Sequence, residues 1–311
     1  MKTFPLGTTD LQVPAVVAGM MRIQESSDAE IRTFYDTARE VGIDFFDHAD
    51  IYGSAPAHGC ERRFAEALRL SPAEREQIVL QSKAGIVKDG PYFDFSYAHL
   101  IEAVEGSLAA LGTEYLDVLL LHRPDALVEP EEVARAFDDL AAAGKVRHFG
   151  VSNHTPGQLE LLRRYVDQPL VANQVQLSLT HAPLITQGMA MNMAGHDQSI
   201  DRTLGTLGYC RLHDITLQAW SPFQSGFFTG PFLGNRGYPE LNAVINRLAG
   251  QYAVEPEAIA AAWITRHPAK IQVVLGTTSP ARVRAAAAGA DLVLTRAEWY
   301  ELFRAAGHLV P

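Results

Sequence analysis

Cysteine is scarce: Cys60 and Cys210 are the two in 311 residues, far apart and in neither a CxxC redox pair nor a zinc-binding spacing. Lone thiols in a reducing compartment are expected, and a structural disulfide is not. Basic charge is also short, with Lys+Arg 26 against Asp+Glu 36 and a net charge of −10. That balance argues against nucleic acid or a membrane surface as a partner and for a small molecule. No apolar run approaches the roughly 18 residues that span a bilayer. The opening MKTFPLGTTD has one lysine and no apolar core, so no leader is expected and the location read from the sequence is cytoplasmic. A Pro-, Gly- or Ser-rich linker is missing as well, and one domain covering residues 1–311 is expected.

What is present is a regular alternation. A short start reads as a hairpin, Thr3–Leu6 and Leu11–Val13 around GTTD, before eight apolar runs that read as strands. These are Ala15–Ala18, Ile43–Phe46, Ile78–Gln81, Leu116–Leu121, Val146–Val151, Leu170–Ala172, Thr216–Ala219 and Ile271–Leu275. Between nearly all of them lie helical patterns. In residues 28–41, Ile31, Phe34, Tyr35, Ala38 and Val41 recur at spacings of three and four, with Asp28 to begin the helix and Gly42 to end it. Further patterns cover Ala98–Leu111, Glu131–Ala143, Pro156–Tyr165, Glu257–Thr265 and Pro280–Ala288. Strand and helix in turn predict a parallel sheet, and eight such units predict an α/β (β/α)8 TIM barrel. The competing open sheet would carry a Gly-rich phosphate turn after its first strand, and GMMRIQES lacks that spacing. Two segments exceed the minimal unit, 189–213 after strand 6 and 221–239 after strand 7, and long loops on a barrel commonly carry function.

A barrel builds its active face from residues at and just after the C-terminal ends of its strands. There the sequence places Asp47 with Tyr52, then Lys83, His122, Ser152 with Asn153, Asn173 with Gln174, Trp220 with Ser221, and Thr277, Thr278 and Ser279. Asp47, Tyr52, Lys83 and His122 make a proton-transfer set. A free tyrosine is a poor acid at neutral pH, and an adjacent ammonium is expected to lower its pKa, a role open to Lys83. Asp47 would hold Lys83 charged, and His122 would hydrogen-bond a carbonyl and steer it toward Tyr52. Other readings stand beside this one. Asp47 and Lys83 also read as an ordinary ion pair, Tyr52 as a turn aromatic, and His122 as a capped core histidine. Asp47, His48, Asp50 and His122 also read as the ligands of a metal-dependent barrel hydrolase. Met20, Met21, Phe223, Phe227, Phe228 and Phe232 read mainly as core or loop packing.

The run FFDHADIYG followed by Glu61, then QSKAG, LLLHRPD, GKVRHFGVSNHTP, NQVQLS, AWSP and LGTTSPARVRAA, resembles the aldo-keto reductase superfamily in order and spacing. The likeness is to its bacterial oxidoreductase branch and runs from about Ala15 to Ala288. It implies a (β/α)8 barrel that reduces a small aldehyde or ketone with NADPH, NADH being possible. By resemblance Tyr52 is the general acid, aided by Lys83, Asp47 and His122. Ser152, Asn153 and Gln174 match positions that hold the nicotinamide amide, Trp220 the aromatic stacked on its ring, and Ser221 a position near the pyrophosphate. Arg282 matches the family's arginine for the 2′-phosphate, and Thr277, Thr278 and Ser279 at the mouth of the Pro280 helix can offer hydroxyls and amides to an anion. The chain departs from the pattern at Gly276, where many members carry lysine, and at 189–204. Some members of the superfamily act as nucleotide-bound regulatory subunits of channels, which leaves a non-catalytic reading open. Natural substrate, oligomeric state and reaction direction are not read from the sequence.

Overall fold

The eight apolar runs form the eight parallel strands of a closed barrel in this computed structural model, which describes residues 1–54, 57–227 and 229–310. They are β1 (Val16–Gly19), β2 (Phe45–Asp47), β3 (Val79–Ala84), β4 (Leu116–Leu121), β5 (Val146–Ser152), β6 (Leu170–Gln176), β7 (Thr216–Trp220) and β8 (Gln272–Leu275). Each pairs with its neighbours in the chain, and β8 returns to β1 through Val273–Val16, Val274–Val17 and Leu275–Ala18. The (β/α)8 architecture is therefore the one the alternation implied.

Several strands run further than their apolar residues suggested. β3 continues through Ser82, Lys83 and Ala84, β5 includes Ser152, β6 includes Asn173 through Gln176, and β7 includes Trp220. An apolar criterion favours the apolar stretch of each strand and stops before a C-terminal end rich in polar residues, whereas alternate positions there point into a barrel interior that is itself polar. Residues expected just after the strands are thus partly within them.

The helices follow local chemistry. Helix Asp28–Glu40 buries Ile31, Phe34, Tyr35 and Ala38. Ser27, not Asp28, caps it: the Ser27 hydroxyl accepts from the Glu30 amide, and the Glu30 carboxylate accepts from the Ser27 amide at 2.8 Å. Such a box satisfies two amides of the first turn. Helices Gly59–Leu68, Pro239–Tyr252 and Arg296–Ala305 were not singled out by periodicity. The first of them hides a carboxylate, Glu61, on its buried face, which an apolar pattern passes over. The segment expected to lack a period contains a turn of 3-10 helix, Asp197–Ser199, and helix Thr206–Leu212.

Hairpin Thr3–Pro5 with Gln12–Pro14 lies at the N-terminal end of the barrel, where the Gly7 amide donates to Thr216 Oγ1 at 2.8 Å. Cys60 and Cys210 are buried and unbonded. Among the described residues, no helix is long and apolar enough to cross a membrane.

Closure of the barrel leaves no room for a side chain at Gly19, where a Cβ would stand 2.2 Å from the Leu275 carbonyl oxygen. Gly19→Ala is therefore expected to lose about 1–3 kcal/mol of stability in urea unfolding, as overpacked sites do. Gly276→Ala, with no atom within 4 Å of its Cβ position, should unfold at the wild-type denaturant concentration.

Candidate active site

The barrel interior holds four buried glutamines, Gln81 on β3, Gln174 on β6, Gln218 on β7 and Gln272 on β8. Gln218 Oε1 accepts from Gln81 Nε2 at 2.9 Å and from Gln174 Nε2 at 3.1 Å, while Gln218 Nε2 donates to Gln272 Oε1 at 2.9 Å. Gln272 Nε2 donates in turn to the Pro14 carbonyl at 2.8 Å. At the other end of the chain of bonds, Asp47 Oδ1 accepts from Gln81 at 2.5 Å and from Gln174 at 3.1 Å. Sequence reasoning missed Gln81, Gln218 and Gln272. The signal was the two-residue alternation that places Gln81 on the same face as Lys83 and Gln218 on the same face as Trp220.

Asp47 and Lys83 are both almost fully buried. The Lys83 ammonium donates to Asp47 Oδ2 at 2.7 Å, to the His48 carbonyl at 2.7 Å and to the Tyr52 hydroxyl oxygen at 3.1 Å. Those three bonds use all three of its hydrogens. The His122 ring packs edge-on against Tyr52, centroids 6.0 Å apart, and its Nδ1 is buried without a partner. Structure thus brings together the four residues of the proton-transfer set.

Their electrostatics differ from expectation at Tyr52. Burial raises the Tyr52 pKa above its ordinary 10 and outweighs the Lys83 ammonium, which pulls it down. The expected net lowering is therefore corrected: a neighbouring cation was legible in the sequence, the loss of water around the phenol was not. Burial is the largest effect on Lys83 and disfavours its charge, but Asp47 and Tyr52 together reverse it, and the net direction is upward. His122 is pushed well below its ordinary value by burial, then by Lys83 and Arg123. At neutral pH the set therefore holds a phenol, an ammonium and a neutral imidazole.

Behind it lies a second group of buried polar residues. Glu61 accepts from Ser82 Oγ at 2.5 Å and lies 2.6 Å from His58 Nδ1. His48 is fully buried edge-on against Phe64, and burial lowers its pKa to about 4. Burial, followed by repulsion from Glu61, raises Asp50 to about 7, and its Oδ1 has no partner. Among the described residues no group of three His, Cys, Asp or Glu stands where it could hold a metal ion. The ligand set of the hydrolase reading, Asp47, His48, Asp50 and His122, is not assembled, because Asp47 is committed to Lys83 and the glutamines while the His48 ring packs against Phe64.

The remaining predicted site residues ring the same mouth. Ser152 Oγ donates to the Gln174 carbonyl at 2.9 Å and accepts from Asn153 Nδ2 at 2.8 Å. Asn153 Oδ1 accepts from the Trp220 indole N–H at 3.0 Å, so this amide positions the ring. Arg123, which the sequence reading did not select, lies over Trp220 at 5.7 Å, and Phe227 meets the same ring edge-on at 6.1 Å. Asn153 and Ser221 both adopt positive φ, 61° and 52°, turning the chain sharply as it leaves β5 and β7. After β8, the Ser279 amide donates to Thr277 Oγ1 at 3.1 Å, and Ser279 precedes helix Pro280–Ala288 without a side-chain cap bond. A cavity of about 430 Å³ lies between Thr278–Pro280 and the start of helix Asp28–Glu40. Arg282 is exposed, and Gly276 faces open space. Of the aromatic and methionine positions, Met20 and Phe232 are core, Met21 and Phe223 are partly buried, Phe227 is exposed, and Phe228 lies outside the described residues.

Asp50 yields a signed pH prediction. Its folded value of about 7 lies above the ordinary carboxylate value of about 3.9. The stability this adds is present below the unfolded value and is lost as pH rises through the folded one. Thermal melts of Asp50→Asn should therefore exceed wild type by a margin that grows from about pH 4 to about pH 7 and is level above it. A margin independent of pH would show that Asp50 does not titrate in that window.

Comparison with known proteins places this geometry. The chain is 36% identical over 315 residues to the uncharacterized oxidoreductase YcsN of Bacillus subtilis, covering 97% of each. It is 33% identical over 305 residues to a 6-dehydroglucose reductase of Agrobacterium fabrum, covering 94% of each. A crystal structure of a thermostable aldo-keto reductase with the inhibitor epalrestat superimposes with a TM-score of 0.77 at 21% identity, covering 98% of this chain and 100% of that one, and shares its fold. The Aldo/keto reductase family model matches residues 15–305, and the chain belongs to that family.

Proposed function

We infer that this chain reduces small aldehydes or ketones to alcohols with a nicotinamide nucleotide, NADPH being favoured, and that Tyr52 is the general acid. The observation that carries the reading is the Lys83 ammonium held between Asp47 and the Tyr52 hydroxyl at the C-terminal end of the barrel. Family membership and the reductase relatives support it.

Because Lys83 only donates, the Tyr52 oxygen accepts from it, and the phenolic hydrogen is left to point elsewhere, toward a carbonyl oxygen in the mouth. The nucleotide, when bound, supplies hydride to the carbonyl carbon. As charge grows on the carbonyl oxygen, Tyr52 gives up its proton, and the phenolate that remains is stabilised by the ammonium. Asp47 balances that cation. His122, neutral at working pH, serves as a hydrogen-bond partner to the carbonyl oxygen and not as a rival acid.

The residues fit the nucleotide. Trp220, held by Asn153, offers a ring face at the mouth; Ser152 braces Asn153, Ser221 follows the ring in sequence, and Gln174, its amide nitrogen committed to Asp47 and Gln218, has its Oε1 left to accept. Thr277, Thr278 and Ser279 lead into the uncapped start of a nine-residue helix, where amides and dipole favour an anion. Exposed Arg282 supplies a guanidinium for the 2′-phosphate, and Gly276 leaves out the second cation. Trp220 and Phe227 form an aromatic rim suited to an apolar or aromatic carbonyl compound.

The test is reduction of 4-nitrobenzaldehyde and of a sugar carbonyl, followed by loss of NADPH absorbance. Tyr52→Phe and Lys83→Met should each lose about 10²- to 10⁴-fold in kcat/KM while still binding NADPH. Retention of more than about a tenth of wild-type kcat/KM by Tyr52→Phe would remove it as the acid. Arg282→Ala should weaken NADPH more than NADH. Gly276→Lys, which has room for its side chain, should favour NADPH further, and equal effects on both nucleotides would end the phosphate assignment.

A further inference from the structure

Segment 189–204, which departs from the family's pattern, supplies part of the wall of a cavity of about 650 Å³ outside the barrel. Its other walls come from helices Pro183–Met189, Thr206–Leu212 and Arg296–Ala305 and from Arg266–Pro268. None of the mouth residues lines it. Arg266–Pro268 precedes β8, at the opposite end of that strand from Gly276.

The lining has two chemical sides. Leu184, Ile185, Met189, Leu207 and Trp299 provide an apolar surface. Three arginines, the exposed Arg211 and Arg296 and the half-buried Arg266, line it against one carboxylate residue, Asp201. Asp201 is used within its own turn, accepting from the Thr203 amide at 3.0 Å and its hydroxyl at 3.2 Å. Arg266 Nε donates to the Leu294 carbonyl at 2.9 Å, whereas among the described residues no carboxylate pairs with Arg211 or Arg296. His267 adds no charge, since burial and then Arg211 lower its pKa to about 4. On a chain of net charge −10, this wall is a local reversal of sign. Gly188 and Gly208, each on a lining helix, are exposed, and no atom lies within 4 Å of their Cβ positions.

We propose that this cavity is a second ligand site for an amphipathic monoanion, an aliphatic carboxylate of medium chain length. Its head pairs with Arg211 and Arg296, which present planar donors to a carboxylate. Its chain lies along Leu184, Ile185, Met189 and Leu207. The volume falls in the range of small-molecule sites, about 300–1,000 Å³. The site is independent of the reductase reading.

Isothermal titration calorimetry with sodium decanoate, with and without NADPH, tests it. One decanoate per chain should bind, with a dissociation constant below about 1 mM that NADPH leaves unchanged. Decanol, equal in chain length and uncharged, should bind at least about tenfold more weakly. The double variant Arg211→Ala/Arg296→Ala should weaken decanoate at least about tenfold. Gly208→Phe should do the same by filling the cavity, and it replaces a helix glycine, so it retains the fold. Failure to saturate, displacement by NADPH, equal binding of decanol, or unchanged affinity in both variants would each overturn the proposal. A two-chain mass by light scattering that Arg211→Glu abolishes would give the groove to a second copy instead, and would overturn it as well.

Discussion

An ammonium buried inside a barrel must be paired on every side, and the Lys83–Asp47 contact is the constraint around which this interior is arranged. A buried ion pair repays its desolvation only if its remaining donors and acceptors are also satisfied. Lys83 spends its three hydrogens on Asp47, the His48 carbonyl and Tyr52. Asp47 takes two further bonds from Gln81 and Gln174, and those amides lean on Gln218 and Gln272 down to the Pro14 carbonyl at the end of the hairpin. The polar interior is thus one network running from the hairpin end of the barrel to the Tyr52 hydroxyl. It fixes Tyr52 by fixing what Tyr52 bonds to.

The same burial divides protonation states by chemistry. It disfavours every charge, so the phenol moves up and the two histidines nearest Lys83 move down. Lys83 and Glu61 move against burial, Lys83 because Asp47 and Tyr52 face it directly and Glu61 because His58, His48 and Ser82 do. For the proposed carbonyl reduction, an ammonium beside a phenol and two imidazoles that stay neutral across the neutral range suits proton transfer from Tyr52, since the phenolate would form next to Lys83. Asp50 is the exception in the surrounding shell, with a value near neutrality. It sits on the loop that carries Tyr52, where its amide donates to the Lys83 carbonyl at 3.1 Å.

Different parts of the barrel face different chemistry. The mouth gathers the proton-transfer set, an aromatic rim and an uncapped helix start. The outer wall near Arg266 and Arg296 gathers guanidinium groups over an apolar floor, with segment 189–204 closing it. Loops and short helices can vary in this way because the inner wall, packed through β1 and β8 at Gly19, does not depend on them.

Much of this was legible in the sequence. Alternating strand and helix patterns gave the eight units, since apolar periodicity is set by which side of each element meets the core. The position of Asp47, Tyr52, Lys83 and His122 at strand ends marked the mouth, since a barrel converges those ends. Strand limits at Lys83, Ser152, Gln174 and Trp220 were misjudged, because polar residues within a strand are stable only when others answer them across the barrel, and local sequence does not state who answers. The direction of the Tyr52 shift, the glutamine chain, the burial of Glu61 and the cavity lined by Arg211 and Arg296 rest on contacts between residues far apart in the chain. Periodicity and residue type are local properties and were determined by the sequence itself. Dehydration and pairing are properties of the closed barrel, and only the tertiary structure decided them.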